Sequence, residues 1–144
     1  MTDPDAALRD ALTTEHGVIY GYGLVSAHSL LEANDLVAAA LRAHRDRRDQ
    51  LITLLTGRGV DAPVAAAGYQ LPMPVTNPTE ASQLAVRMER DAAVAWRAVV
   101  EQAQTDQDRA FGVAALTDCA ATEARWNIRL GVTPVIGAFP GGTE

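Results

Sequence analysis

One segment without helical periodicity, Gly57–Thr76, divides this chain into two halves and constrains its fold more than any other feature. It contains three of the seven prolines and three glycines, residues that end helices and favour turns. A loop of this length is uncommon in a compact domain, so it has a structural or functional reason. A helix of about 24 residues is about 36 Å long, and about twenty extended residues reach about 66 Å. The segment can therefore return along the whole length of a helical bundle.

Each half of the chain contains two strong helix signals separated by a short turn. The four predicted helices occupy about residues 4–31, 35–57, 78–104 and 106–131, where apolar residues recur at three- and four-residue spacing. Polar residues that favour helix N-caps precede them, at Asp3, Asn34, Asn77 and Thr105. No stretch has the alternating pattern of a strand. Residues 132–144, with two prolines and a pair of glycines, are expected to form an extended tail.

The connection lengths predict the fold class. Short turns make the first two helices one antiparallel hairpin and the last two another. One long crossover between two hairpins is the ferritin-like arrangement of a four-helix bundle, rather than the simple up-down-up-down one. We therefore predict a single all-α domain over residues 1–144, a ferritin-like four-helix bundle with an extended C-terminal tail.

Composition limits the classes of function. A net charge of −6 argues against binding nucleic acid, because contacts with phosphates require a basic surface. The most apolar run, Gly17–Leu31, is shorter than the roughly 20 residues that span a bilayer, and the acidic N-terminus does not have the pattern of a signal peptide. The single Cys119 excludes an internal disulfide and fits a reducing compartment. A cytoplasmic protein without membrane segments is expected.

The second helix carries charged residues on a stripe that should be apolar. Val37, Leu41, Leu51 and Leu55 lie on one face, and His44 and Arg48 share it. A guanidinium on a core-facing stripe requires acidic partners. Residues equidistant from a hairpin turn lie at one depth, which pairs Glu89 with Glu123 and places Glu15 near Arg48, with Arg45 next along the same side. The pattern predicts a buried polar network, and its members are Glu15, Arg45, Arg48, Glu89 and Glu123.

A metal site is the alternative interpretation of the acidic residues that lie at this depth of the bundle. Di-metal bundles use one Glu from each of two helices and Glu-x-x-His from each of the other two. Glu15, His44, Glu89 and Glu123 would be a reduced ligand set for iron or manganese in an oxidoreductase. Trp126 stands where the ligand histidine of the fourth helix belongs, and arginine cannot lose its proton to admit a metal. The sequence therefore favours a non-catalytic protein without a cofactor, and we expect no catalytic residue.

Three further alternatives stay open at this point. Arg45, Arg47 and Arg48 could belong to a solvated face with Asp46 and Asp49. A small ligand could bind under the crossover, in a pocket lined by Tyr20, Tyr69, Trp96 and Trp126, although the tryptophans more often pack in a core. The glycines of Gly17-x-x-x-Gly21-x-Gly23 indicate a close approach, first within the chain and second at the seam of a homodimer, which is the expected assembly.

Several motifs together resemble one known family. They are Glu15-His16 followed by Tyr20-Gly21-Tyr22-Gly23, His44-Arg45-x-Arg47-Arg48-Asp49, Tyr69-x-Leu71-Pro72, and the alanines before Trp126. With them the chain resembles the ferritin-like family of short actinobacterial proteins called domain of unknown function 4439. The resemblance implies a ferritin-like bundle and no particular activity. Other members of the wider superfamily use di-metal centres for oxidation or iron storage, and this sequence departs from that pattern at the positions named above.

Overall fold

The computed structural model describes residues 3–142 as a bundle of four long helices. The helices are α1 (Pro4–His28), α2 (Asn34–Gly57), α3 (Pro78–Gln102) and α4 (Asp106–Leu130), and a 3₁₀ turn, Leu31–Ala33, precedes α2. Helix α1 packs against α2 and α3, and α3 packs against α4. The described residues contain no strand. The predicted all-α four-helix bundle, with two antiparallel hairpins and a long crossover at 58–77, is confirmed.

The helix ends follow the predicted capping residues with one exception. The side chains of Asp3, Asn77 and Thr105 accept hydrogen bonds from backbone N–H groups of the helices that they precede. The prediction that Asn34 caps the second helix is wrong. The 3₁₀ turn continues directly into α2, and Ala33 occupies the N-cap position without a side-chain hydrogen bond to the helix. Helix α1 also ends at His28, three residues earlier than predicted. This earlier end changes which residues of α1 and α2 lie opposite each other.

The crossover lies against α1 at the glycines singled out in the sequence. A Cβ atom on Gly17 would lie 3.8 Å from the ring of Tyr69, and one on Gly21 would overlap Sδ of Met88 in α3 and lie 3.7 Å from Leu71 of the crossover. Nε2 of His16 is hydrogen-bonded to the carbonyl oxygen of Pro63 at 2.9 Å. The prediction that these glycines serve packing within the chain is confirmed for Gly17 and Gly21 and is wrong for Gly23, since nothing lies within 4 Å of its Cβ position. No helix among residues 3–142 is long and apolar enough to span a bilayer.

The tail after α4 folds back on the bundle. Nδ2 of Asn127 donates a hydrogen bond to the carbonyl oxygen of Val135 at 2.8 Å. Gly141 has a φ of 78°, and a Cβ atom there would lie 2.7 Å from the carbonyl oxygen of Ala93 in α3. Both the conformation and the contact require glycine. The tail therefore covers part of the α3–α4 hairpin.

Gly112 lies where α3 and α4 approach each other closely. A Cβ atom there would lie 2.8 Å from Cγ2 of Val100 and 3.2 Å from its backbone nitrogen. We expect Gly112→Ala to lower the free energy of unfolding by up to about 2 kcal/mol, because the usual cost of overpacking, about 1–3 kcal/mol, exceeds the roughly 1 kcal/mol that alanine gains in helix propensity. Gly57→Ala is the matched control, since nothing lies within 4 Å of its Cβ position. The control should be neutral or stabilising, because alanine favours helix. Urea denaturation measures both, and equal stabilities would contradict the prediction.

Candidate functional site: a buried charge network

Polar side chains from every helix meet in the interior of the bundle. Helix α1 contributes Glu15, α2 contributes His44 and Arg47, α3 contributes Glu89, and α4 contributes Cys119. Glu15, His44, Glu89 and Cys119 have no exposed surface, and Arg47 has 7%. We call this group the charge network. Groups this polar are buried without large cost only when they are hydrogen-bonded to one another.

His44 connects the two carboxylates. Its Nδ1 lies 2.5 Å from Oε2 of Glu15. Its Nε2 is hydrogen-bonded to Oε1 of Glu89 and lies 3.1 Å from the other oxygen, Oε2. The imidazole therefore bridges α1 and α3 from its position on α2, and both of its nitrogens are used.

Arg47 joins α2 to α1 and α4. Its Nε donates to Oε1 of Glu15 at 3.4 Å, and its Nη1 donates to Oδ2 of Asp118 at 2.6 Å. Its Nη2 lies 3.7 Å from Sγ of Cys119 and 3.1 Å from Nδ1 of His44. The Asp118 side chain is 43% exposed, so this carboxylate marks the edge at which the network reaches solvent.

Aromatic side chains enclose the network. Nε1 of Trp96 donates to Oε1 of Glu15 at 2.8 Å, and the Trp96 ring packs against Phe111. Nε1 of Trp126 donates to the hydroxyl of Tyr22 at 3.1 Å, and the Tyr22 ring lies 5.7 Å from that of His44. Among the described residues, no buried side-chain nitrogen or oxygen lacks a hydrogen-bond partner.

The pKa values of the network follow from burial and these contacts. Burial alone would lower the pKa of His44, but hydrogen bonds to Glu15 and Glu89 outweigh it and raise the pKa to about 9. Burial alone would raise the pKa of Glu15, but His44, Arg47 and Trp96 together hold it below its usual value. Burial raises the pKa of Glu89, although its bond to His44 opposes the rise. His44 is therefore protonated at neutral pH.

The fully buried part of the network is electrically balanced with His44 in this state. Both imidazole nitrogens donate to carboxylates, so two cations, His44 and Arg47, face two buried anions, Glu15 and Glu89. Asp118 is a third anion at the exposed edge. The short contact between Arg47 Nη2 and His44 Nδ1 is then a like-charge contact, which Glu15 offsets by accepting from both side chains. Buried charges with this degree of pairing fix the relative positions of helices more than they add stability.

The structure places two of the five predicted network residues elsewhere in α2. Arg45 is exposed. The Arg48 side chain is 30% exposed, and its Nε donates to Asp49 at 2.8 Å. The prediction that Arg45 and Arg48 neutralise the buried acids is therefore wrong for both residues. Arg47, which was not predicted to belong to the network, neutralises Glu15 instead. The physical reason is that Arg47 projects toward Asp118 and Cys119 on α4, where its guanidinium finds partners.

Glu123 also lies outside the network. Its carboxylate accepts from Nε of Arg90 at 3.0 Å, and the Arg90 side chain is 58% exposed. Burial raises the pKa of Glu123, and Arg90 opposes the rise. The inward residue of α4 near Glu89 is Cys119, one helical turn earlier. Glu15, His44 and Glu89 of the alternative metal set thus come together, and Glu123 does not join them.

The four aromatic residues predicted to line one pocket lie in separate places. Tyr20 and Tyr69 contact each other at the surface of α1, with ring centroids 5.3 Å apart, and the Tyr20 side chain is 40% exposed. Trp96 and Trp126 are fully buried beside the charge network. The crossover places Tyr69 on Gly17 rather than over the tryptophans, so the four do not form a common lining.

Comparison with known proteins assigns the family. The sequence profile of a family described as domain of unknown function (DUF4439) matches residues 7–144. The chain belongs to this family. A crystal structure of a conserved hypothetical protein, rv2844, from Mycobacterium tuberculosis is similar to this DUF4439 chain, with 58% sequence identity and a TM-score of 0.88. The similarity covers 95% of this chain and 96% of that chain. The search of curated proteins found no match.

The residues of this DUF4439 chain do not fit a di-metal centre. Two glutamates and one histidine meet in the interior, where the di-metal pattern uses four glutamates and two histidines. Both histidine nitrogens are engaged by carboxylates, and a permanent cation, Arg47, stands among the acids. In residues 3–142, no group of three or more His, Cys, Asp or Glu side chains is arranged to hold a metal ion as it stands.

Proposed function

We propose that this chain is a non-catalytic, ferritin-like bundle in which a network of protein charges has taken the place of a di-metal centre. The observation that carries the proposal is that His44 bridges Glu15 and Glu89 and that Arg47 donates to Glu15 beside it. Two side-chain cations there neutralise two acids that in a metal centre would face metal ions. The protein would then act through its surface, as a binding or structural protein.

The burial of the network supports a non-catalytic role. A catalytic acid or base must come within hydrogen-bond distance of a substrate. Glu15, His44 and Glu89 have no exposed surface, and each already holds a protein partner. An acid–base or redox reaction would have to break this set of bonds before a substrate could reach it.

Metal analysis of the purified protein tests the proposal against its strongest competitor, a metal-dependent oxidoreductase. We expect less than about one tenth of an equivalent of iron, manganese or zinc per chain after incubation with each metal and desalting, because a buried guanidinium opposes a nearby divalent ion. Inductively coupled plasma mass spectrometry gives the stoichiometry. One or more equivalents, lost in Glu15→Gln, would overturn the proposal.

A homodimer and a cytoplasmic location belong to the same proposal. Exposed apolar side chains occur on the helices, including Val94 at 52% and Ile128 at 65%. Single exposed apolar residues are common on monomers, so the assembly requires direct measurement. Sedimentation equilibrium would show a dimer if this part of the proposal is correct and a monomer at all concentrations if it is not.

A further inference from the structure

A small cavity lies at the end of the bundle where α1 and α4 end and α2 and α3 begin. Its volume is about 110 Å³, whereas a single buried water requires only about 10–15 Å³. The cavity therefore has room for several water molecules or for one small ion. The polar residues in its lining are Ser29, Thr79, Ser82 and Arg129.

The charge of this lining is positive. Arg129 is the only charged residue in it, although the chain contains 18 acidic residues. The Arg129 side chain is exposed and forms no ion pair with any residue between positions 3 and 142. A guanidinium presents five N–H donors in a fork that matches the oxygens of carboxylates and phosphates. The cavity is therefore suited to an anion.

The hydroxyl of Ser82 is a second feature that indicates a ligand. Ser82 is only 9% exposed and lines the cavity. The hydroxyls of Thr13, Thr14 and Ser29 each donate to the backbone carbonyl four residues earlier. Within the described residues, the Ser82 hydroxyl forms no hydrogen bond of this or any other kind with the protein. Since buried hydroxyls are nearly always hydrogen-bonded, the cavity is the side from which its partner comes.

The first turn of α3 adds one backbone donor. Pro78 has no N–H, and the N–H groups of Glu80 and Ala81 donate to the side chain and the carbonyl of Asn77. In the part of the chain that the structure describes, the N–H of Thr79 is the one of these first groups without a protein acceptor, and Thr79 lines the cavity. A helix N-terminus also carries partial positive charge, which favours an anion.

The acceptors nearest the cavity are already occupied by protein donors. At the end of α1, the carbonyl oxygen of Val25 accepts from both the N–H and the hydroxyl of Ser29. The N–H groups of Gly131 and Val132 bond to carbonyls of the last turn of α4. Glu80 does not line the cavity, and its carboxylate accepts from the N–H and hydroxyl of the residue four positions earlier. The groups left for a ligand are therefore mainly donors.

We propose that this cavity binds a phosphate-type oxyanion. Arg129 supplies the opposite charge, and the N–H of Thr79 and the hydroxyl of Ser82 donate hydrogen bonds to the oxygens. Leu30 and Leu130 give the cavity an apolar border, which suits either the free ion or the phosphoryl group of an organic molecule. The inference goes beyond the proposed function and does not depend on it, because no member of the charge network lines this cavity.

Titration of the full chain with inorganic phosphate, followed by NMR at constant ionic strength, tests the inference. We expect saturable shifts of the backbone amide signals of Thr79 and Ser82. Arg129→Ala and Ser82→Ala should each weaken binding about tenfold or more, the usual effect of losing one hydrogen bond to a charged group. Arg125→Ala is the matched control, since it removes the same charge one turn earlier on α4 from an exposed side chain that does not line the cavity. The control should bind phosphate as the wild type does.

The stability of Ser82→Ala separates a role in binding from a role in the fold. The hydroxyl has no protein partner, and alanine favours helix more than serine does. Without phosphate, the variant should therefore melt at or above the temperature of the wild type. Phosphate should raise the melting temperature of the wild type more than that of the variant, because a ligand that binds only the folded state stabilises it. A variant that melts lower without phosphate would contradict the assignment of Ser82.

Phenyl phosphate distinguishes the two sources of the anion. Tighter binding than that of inorganic phosphate would assign the cavity to the phosphoryl group of an organic molecule, and equal or weaker binding would assign it to the free ion. The inference is overturned if neither compound gives saturable shifts, or if Arg125→Ala weakens binding as much as Arg129→Ala does. Stoichiometric metal in the wild-type protein would overturn the proposed function and leave this anion site unaffected.

Discussion

Replacement of Glu15 with alanine is expected to lower the free energy of unfolding by about 3–5 kcal/mol, the usual cost of removing one partner from a buried ion pair. Glu15 accepts hydrogen bonds from His44, Arg47 and Trp96. Its loss leaves these three donors without their acceptor and leaves two buried cations facing one remaining interior carboxylate. Urea denaturation at pH 7 measures the change.

Glu101→Ala is the matched control for this substitution. The Glu101 side chain is 60% exposed and pairs with Arg97 one helical turn away at 2.8 Å. Exposed helix pairs of this kind contribute about 0.3–0.5 kcal/mol. If Glu15→Ala were no more destabilising than Glu101→Ala, the charge network would not hold the helices together as described.

The stability of the wild-type protein is expected to fall between about pH 6.5 and pH 9. The pKa of His44 rises from 6.5 to about 9 on folding, because its bonds to Glu15 and Glu89 outweigh the effect of burial. A raised pKa means that the folded state binds the proton more tightly, so the stabilisation is complete below pH 6.5 and is lost as pH rises through about 9. At about 1.4 kcal/mol per unit, the loss is about 3 kcal/mol. Above this range Nδ1 of His44 can accept from Arg47, which replaces part of one lost bond.

Denaturation curves at several pH values check this prediction, and two variants isolate its cause. Burial also raises the pKa of Cys119, so ionisation of the thiol in the unfolded chain adds to the fall at the alkaline end. Cys119→Ala should keep the decline between pH 6.5 and 8.5, whereas His44→Gln should remove most of it. A decline that disappears with the thiol and survives in His44→Gln would show that His44 is not its source.

The first hairpin shows how far the sequence predicted the site. The apolar stripe of α2 predicted that a histidine and an arginine lie in the interior near Glu15. His44 and Arg47 occupy these positions in the structure. The wrong arginine was chosen because α1 was predicted to end at Leu31, which centres the turn on residue 33 and places Glu15 opposite Leu51. The helix ends at His28, the turn is centred on residue 31, and Glu15 lies opposite Arg47.

The prediction for the second hairpin paired the wrong residues for the same reason. Helix α3 was predicted to continue to about Gln104 and the turn was placed at residue 106, which paired Glu89 with Glu123. The turn between Gln102 and Asp106 is centred on residue 104, which pairs Glu89 with Cys119. An error of two residues in the centre of the turn becomes four residues, about one helical turn, on the partner helix. Boundaries are the least certain part of a helix read from a sequence.

Periodicity could not correct the choice in α2. Arg47 and Arg48 both lie three or four residues from His44 and Leu51, and the centre of the apolar stripe is nearer Arg48. What distinguishes them is the neighbouring helix, because Arg47 projects toward Asp118 on α4 and Arg48 does not. This preference depends on how the two hairpins pack together. A long, flexible arginine side chain can also reach a partner that lies to one side of the apolar stripe of its own helix.

The chain contains two tryptophans, and both donate their indole N–H inside the bundle, Trp96 to Glu15 and Trp126 to Tyr22. The tryptophan fluorescence of the native protein therefore comes entirely from the neighbourhood of the charge network. In Trp126→Phe, emission comes from Trp96 and reports the surroundings of Glu15. In Trp96→Phe, emission comes from Trp126 and reports the surroundings of Tyr22. A shift of the spectrum to longer wavelength would then show which half of the interior first admits water, without any added label.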